Sequence, residues 1–168
     1  MPLSMYQASV PVLLRNLKNL SAVMEKAAQD CGRRSIPERT LIEARLYPDM
    51  LSFKEQIDFV ILQANGVGAR LAGLRAPPPD GTGDEASFDV LRERLAECGD
   101  FLRTLKPEQI DGSEDREITF DAPGKRFHFT GQSYLLNFAL PNFYFHYSIA
   151  YGILRHNGVP LGKLDFLG

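Results

Sequence analysis

Cysteine and histidine are scarce in this chain: there are two of the first, Cys31 and Cys98, and three of the second, His128, His146 and His156. Neither cysteine has a second cysteine or a histidine at zinc-ligand spacing, so no zinc site is built on them. Two free thiols in a chain of this size fit a reducing compartment. No run of about 18 apolar residues occurs, which excludes a membrane-spanning helix. A surplus of one charge is also missing. Lys and Arg number 19 against 21 Asp and Glu, so nothing advertises nucleic acid or an anionic membrane. The opening MPLSMYQASVPVLLRNLKNL has no basic segment ahead of its apolar positions and no small-residue cleavage site, so it reads as an amphipathic helix and not a secretory signal. The expected location is therefore cytoplasmic. The glycine-rich phosphate loops, the G-x-S-x-G elbow and the H-E-x-x-H metalloprotease motif are absent as well.

What remains is ordinary globular composition, 44% hydrophobic and 24% charged over 168 residues. That length suits one domain, residues 1–168, and buries roughly two-thirds of the surface of the unfolded chain. Val10, Leu13, Leu14, Leu17, Leu20, Val23, Met24 and Ala27 recur at steps of three and four, one face of a helix that Gly32 should cap. Ser35-Ile-Pro-Glu38 has the form of a capping box and opens a second helical stretch. Pro48 interrupts it, and a break is expected at Tyr47-Pro48-Asp49. The helix resumes through Met50, Phe53, Ile57, Ile61, Ala64, Val67 and Leu71 and stops at Gly73. Its second half is rich in Gly and Ala, which calls for close helix contact inside the protein or across a dimer.

Residues 75–86 read as a polar Pro/Gly loop. Ser87 is the expected N-cap of a third helix, whose seam is Phe88, Leu91, Leu95, Cys98, Leu102 and Leu105. Cys98 is thus a core position, whereas Cys31 sits at a helix end with partial exposure. The period then becomes two. Ile118 and Phe120, then Phe127 and Phe129, flank Pro123-Gly124, which predicts a β-hairpin over 116–130 with its aromatic face laid on the helices. Asp111–Arg116 is an acidic turn without the ligand spacing of a calcium loop. A last helix spans 131–156, bent by Pro141 and capped by Gly158, and a tail too short for an element lies on the body through Leu161, Leu164, Phe166 and Leu167. The sum is four helical elements with a hairpin between the third and fourth.

Chemistry concentrates in the last helix, which holds seven of the seventeen aromatic residues. Asn142, His146, Ile149 and Ile153 share one of its faces, so His146 points inward. A buried imidazole needs partners for both nitrogens. Asn142 is one candidate; a metal, or a carboxylate from another helix, is another. His146 is then either a hydrogen-bonded core histidine or a ligand or base. His156 lies about 15 Å further along the axis and some 80° round it, and His128 faces away from Phe127 and Phe129, so three histidines cannot meet within one chain. Asp49 follows the proline break and suits either an N-cap or a functional carboxylate. Arg45 can pair with Asp49, with Glu43 or with an anionic ligand. Glu55 and Asp58 read as solvated charges.

The segments SMYQASVPVLLRNLKNL, ARLYPDM, ILQANGVGARLAG, DGSEDREITF and FTGQSYLLNFALPNFYFHYSIAYGILRHNGVPLGKLDFLG together resemble a bacterial family of unknown function, similar in fold to the DinB/YfiT-like metalloenzymes. The resemblance implies an all-α, up-and-down four-helix bundle, here with a small β-hairpin between helices 3 and 4, and a homodimer. It also implies a divalent metal on three histidines, one from the second helix and two, spaced by four, from the last. Here only His146 matches. Asn142 and Ala150 stand four residues to either side, and the second-helix position falls near Asp49. The expectation is a small-ligand-binding protein with a degenerate metal site, the ligand held by Asp49, His146, Arg45 and Asn142. No metal ligands are assigned, and a divalent metal stays open as the cofactor. The alternative is a divalent-metal- or thiol-dependent transferase or hydrolase.

Overall fold

The computed structural model describes residues 3–77 and 87–168. The polar loop expected over 75–86 lies outside the described residues from 78 onward. Helix α1, Val10–Arg34, buries Val10, Leu13, Leu17, Leu20, Val23, Met24, Ala27 and Cys31 along one face. It does not stop at Gly32. Asp30 is buried and pairs with Arg33 and Arg34, three and four residues on, a spacing that exists only while the helix continues. Ser35 takes the left-handed cap instead, at φ 54°. That role removes Ser35 from the expected capping box. The short α2, Glu38–Ile42, starts behind Pro37, and the Glu38 carboxylate accepts a 2.8 Å bond from the Phe88 amide, one of the unpaired donors at the start of α4.

The break is wider than Tyr47–Asp49. Helix α2 ends at Ile42 and α3 runs Phe53–Ala72. Arg45 and Ser52 pair across the gap, closed by the Phe53 amide on the Ala44 carbonyl at 2.9 Å. Ser52 caps α3, not Asp49, and Met50 lies in the break. The Glu55 carboxylate accepts from the Ser52 amide and hydroxyl, both at 2.7 Å. Serine and glutamate three apart satisfy two donors at once, which a lone aspartate at position 49 does not.

Helix α3 packs against α4 (Phe88–Thr104), the short α5 (Pro107–Ile110) and α7 (Leu140–His156). A Cβ at Gly68 would stand 2.6 and 2.8 Å from the Leu105 and Leu102 side chains. The small residues thus serve approach within the chain. Gly73 ends α3 at φ 70°, and the Ser87 hydroxyl caps α4 by accepting from the Val90 amide at 3.3 Å. All six expected α4 seam residues, Phe88 to Leu105, are buried.

Strands β1, Glu117–Ala122, and β2, Lys125–Thr130, form the hairpin, with Ile118 opposite Phe129 and Phe120 opposite Phe127. Gly124 turns it at φ 76°. Phe120, Phe127 and Phe129 each lie 5.2–5.4 Å from the Phe138 ring, and the Arg70 guanidinium sits 4.4 Å above Phe120. An aromatic face this large lies on helices because a two-stranded hairpin alone is marginal in water. His128 faces away, beside Thr119 at 3.2 Å.

The last helical stretch has three parts: α6 (Gly131–Tyr134), a π-helical turn (Leu135–Ala139) and α7. Pro141 has no amide hydrogen, so the Asn137 carbonyl loses its regular partner. The irregularity takes the form of this π turn, with the Leu140 amide on the Leu135 carbonyl, and not a break at the proline itself. The tail does form an element, α8, Lys163–Leu167. Lys26 pairs with Asp165 at 2.5 Å, and Phe166 stacks on Tyr147 at 4.3 Å. Leu161 is buried and Phe166 half-buried, while Leu164 and Leu167 remain exposed. The four long helices make a bundle with the hairpin between the third and fourth, but they do not alternate up and down as expected: Phe53 lies against Phe88 and Gly68 against Leu102 and Leu105, so α3 and α4 run parallel, while the Phe88 amide on Glu38 and Arg92 beside Ser21 and Glu25 set α4 antiparallel to α1. Among the described residues no helix is long and apolar enough to cross a membrane.

Gly131 and Gly152 offer a paired test. A Cβ at Gly131 would fall on the Ser113 carbonyl oxygen, a backbone atom, whereas one at Gly152 meets nothing within 4 Å. Gly131→Ala is expected to destabilise by about 2 kcal/mol or more. Gly152→Ala is expected to stabilise by up to about 1 kcal/mol through helix propensity. Urea unfolding of both variants checks the contrast.

Candidate functional site

His146 lies in the middle of α7 and is 7% exposed. Its Nδ1 stands 2.8 Å from Oε1 of Gln56, a residue one turn into α3 and 1% exposed. The Gln56 amide nitrogen donates to the Leu51 carbonyl in the break, at 3.3 Å. That bond orients the amide, since turning it over would set two oxygens against each other. With Oε1 toward the ring, Nδ1 carries the proton and donates it. The neutral ring then holds its lone pair on Nε2. Nε2 makes no hydrogen bond among the described residues and is not one of the fully enclosed unpaired atoms, so solvent touches it.

Two aromatic rings flank the imidazole. Phe59 stacks on the imidazole with centroids 4.6 Å apart and planes 18° from parallel. Phe145 meets it edge-on at 5.3 Å. Burial disfavours the charged ring and lowers the His146 pKa from its ordinary value.

The other expected site residues stand differently. Arg45 is half out in solvent and is engaged by Glu55 at 3.2 Å and by the Met50 carbonyl. It pairs neither with Asp49 nor with Glu43, whose carboxylate is taken by Arg39 at 2.7 Å. Asp49 is exposed in the break. Asn142 is half-buried one turn before His146, but the Nδ1 partner is Gln56. The break therefore reaches His146 through Leu51 and Gln56, with no hydrogen bond from Asp49, Arg45 or Asn142 to the ring. Glu55 is not merely solvated, for the Ser52 hydroxyl and amide hold its carboxyl below the ordinary value. Asp58 is two-thirds or more buried and pairs with Arg94 at 2.7 Å.

Gln56 and Phe59 complete the site and were not among the residues expected to form it. Their signal is present in the chain. Phe53, Gln56, Val60, Gln63 and Val67 form an unbroken three-and-four seam, and a glutamine on such a seam must find a partner inside.

Among the described residues no three His, Cys, Asp or Glu side chains stand close enough to hold an ion. The three-histidine donor set does not fit this chain. The thiols offer no substitute. Burial pushes Cys98 up to about 12 and also raises Cys31, which is buried and not partly exposed as expected.

Residues 5–167 match the family model described as a domain of unknown function, DUF1993. The chain belongs to the DUF1993 family. A crystal structure described as a DinB family member from Shewanella denitrificans is similar to this DUF1993 chain, with a TM-score of 0.85 and 32% identity over 97% of this chain and 91% of that one. No curated protein matches it. The DinB-like fold of this DUF1993 chain thus carries one inward imidazole, oriented by an amide.

The lowered pKa of His146 has a definite consequence for stability. The unfolded chain takes up a proton near the ordinary value of 6.5, whereas the folded chain does so only at lower pH. Stability from the neutral ring is present in full above 6.5 and falls as pH drops through the folded pKa. The carboxyls of Glu55 and Asp165, held below their ordinary values of 4.5 and 3.8, lose their contributions only further down. An NMR titration of the His146 ring is expected to show a midpoint below 6.5. Urea unfolding is expected to show stability declining from pH 6.5 to 5, with a smaller slope in His146→Gln.

Proposed function

We propose that this DUF1993 protein acts over residues 1–168 as a homodimeric small-ligand-binding bundle, with the metal site reduced to His146. The observation that carries the reading is the fixed tautomer: Gln56 occupies Nδ1 and leaves Nε2 without a partner, on a ring that Phe59 and Phe145 flank. A ligand with one O–H or N–H donor would place it on Nε2 and rest its apolar part against Phe59 and Phe145. Asn142, Asp49 and Arg45 would supply the polar margin. Small-molecule sites usually combine apolar walls with a few oriented polar atoms. Two free, buried cysteines suit a cytoplasmic setting.

A thermal-shift screen against phenols, thiols, small acids and Ni²⁺, Mn²⁺ and Zn²⁺ tests this, because a ligand of the folded state raises the melting point. Phenol is expected to raise the Tm of the native chain and not that of His146→Ala, while the metal ions leave both unchanged. Equal shifts in the two proteins, or no shift with any compound, would discard the site.

A second reading makes the chain an enzyme of the transferase or hydrolase kind. It is favoured by the same atom, since a neutral imidazole with Nε2 free is a general base for a thiol or water co-substrate. Turnover that disappears in His146→Ala would decide for it.

The proposed dimer rests on exposed apolar side chains of α3 and α7. Phe59 is 36% exposed, Leu62 43% and Phe145 57%, the composition of an interface core. Light scattering is expected to give twice the chain mass for the native protein and the single mass for Phe145→Asp. An unchanged mass in that variant would move the interface elsewhere.

A further inference from the structure

A second hollow lies between α1 and α4, a helix pair that includes neither His146 nor Gln56. Its volume is about 340 Å³, at the small end of ligand sites. Leu17 and Leu95 are buried in its floor, and Leu14 is half-buried beside them. Ala22, Ala96 and Gly99 keep its walls low, and a Cβ at Gly99 would meet only the head of Arg103, at 3.4 Å. Side chains of ordinary size at these three places would interlock and close the trough.

The charges along it are unevenly settled. Arg92 holds one end, with Ser21 at 3.4 Å, Glu25 at 3.5 Å and Asp89 at 3.2 Å, so that end is neutralised and shut. These contacts set the start of α4 beside residues 21–25. The other end of the groove therefore brings Arg103 and Lys18 together near Leu14. Helical side chains lean toward the N-terminus of their helix, which in this antiparallel pair turns the two cations toward each other. Lys18 has no acidic partner among the described residues. Arg103 holds Asp100 at 2.6 Å, but that pair is 62% and 76% exposed and is readily exchanged for another carboxylate.

We propose that this groove binds an amphiphilic monocarboxylate. Its head sits between Lys18 and Arg103, and its hydrocarbon tail lies on Leu14, Leu17 and Leu95 and stops at Arg92. The charge pattern selects the class. A cationic head would meet two cations, and a neutral one would leave them unused. At about 30 Å³ per water-sized atom the volume holds roughly eleven non-hydrogen atoms, which octanoate, with about ten, fills.

Calorimetric titrations of the full chain with octanoate, octylammonium and octanol, with amide shifts recorded for octanoate, test the proposal. Octanoate is expected to bind best, with shifts centred on Lys18, Ser21 and Gly99. The surface double variant Lys18→Glu/Arg103→Glu is expected to weaken it at least tenfold. Ala96→Leu, at an exposed position that fills the trough, is expected to do the same without changing the head-group charges. The proposal fails if octanoate does not bind, if octylammonium or octanol binds as tightly, if both variants bind octanoate as the native chain does, or if the shifts gather around His146.

Discussion

Helix α3 meets α4, α5 and α7 at once, and no helix so enclosed can carry bulk where its neighbours cross it. Gly68 lies under Leu102 and Leu105. Each glycine costs about 1 kcal/mol of helix propensity against alanine; the close packing it admits offsets that cost. The enclosure also governs how the chain enters α3. Residues 43–52, with Pro48 among them, turn aside from the helical path, and Ser52 with Glu55 rebuilds a helix start. Arg70, from the same helix, lies against Phe120 and holds the hairpin down.

The candidate site follows from this burial. Gln56 sits on a buried face of α3, where its amide cannot remain unpaired. One end finds the Leu51 carbonyl that the break exposes, and the other finds the imidazole of α7. Two bonds on one amide decide which nitrogen of His146 is protonated, and hence which is free to meet a ligand. A metal would need further donors at the same place, and among the described residues no three His, Cys, Asp or Glu side chains gather to hold one. His146 is thus one oriented, neutral imidazole in an apolar setting.

The residues read differently from sequence and from structure are mostly those with two local uses. Gly32 looked like a helix stop until Asp30 required Arg33 and Arg34 in register. Ser35 looked like the start of a box and became the end of a helix. Asp49 and Ser52 are both good caps on paper, but only Ser52 has a glutamate three residues on. Asp58 reads as a surface charge until α4 brings Arg94 against it. In the first three cases a partner within four residues selected between two local answers, and only for Asp58 did a residue on another helix do so.

The sequence by itself determined the four amphipathic helices, the hairpin and its aromatic face, the core position of Cys98 and the inward turn of His146. All of these depend on periodicity, which a chain carries within one or two turns of itself. Only the tertiary structure decided that Gln56 is the partner of His146, that Arg45 belongs to Glu55, and that Lys18 and Arg103 share one end of a groove. Those pairings join residues as many as 90 positions apart, and their energies depend on distances that exist only after the helices have packed.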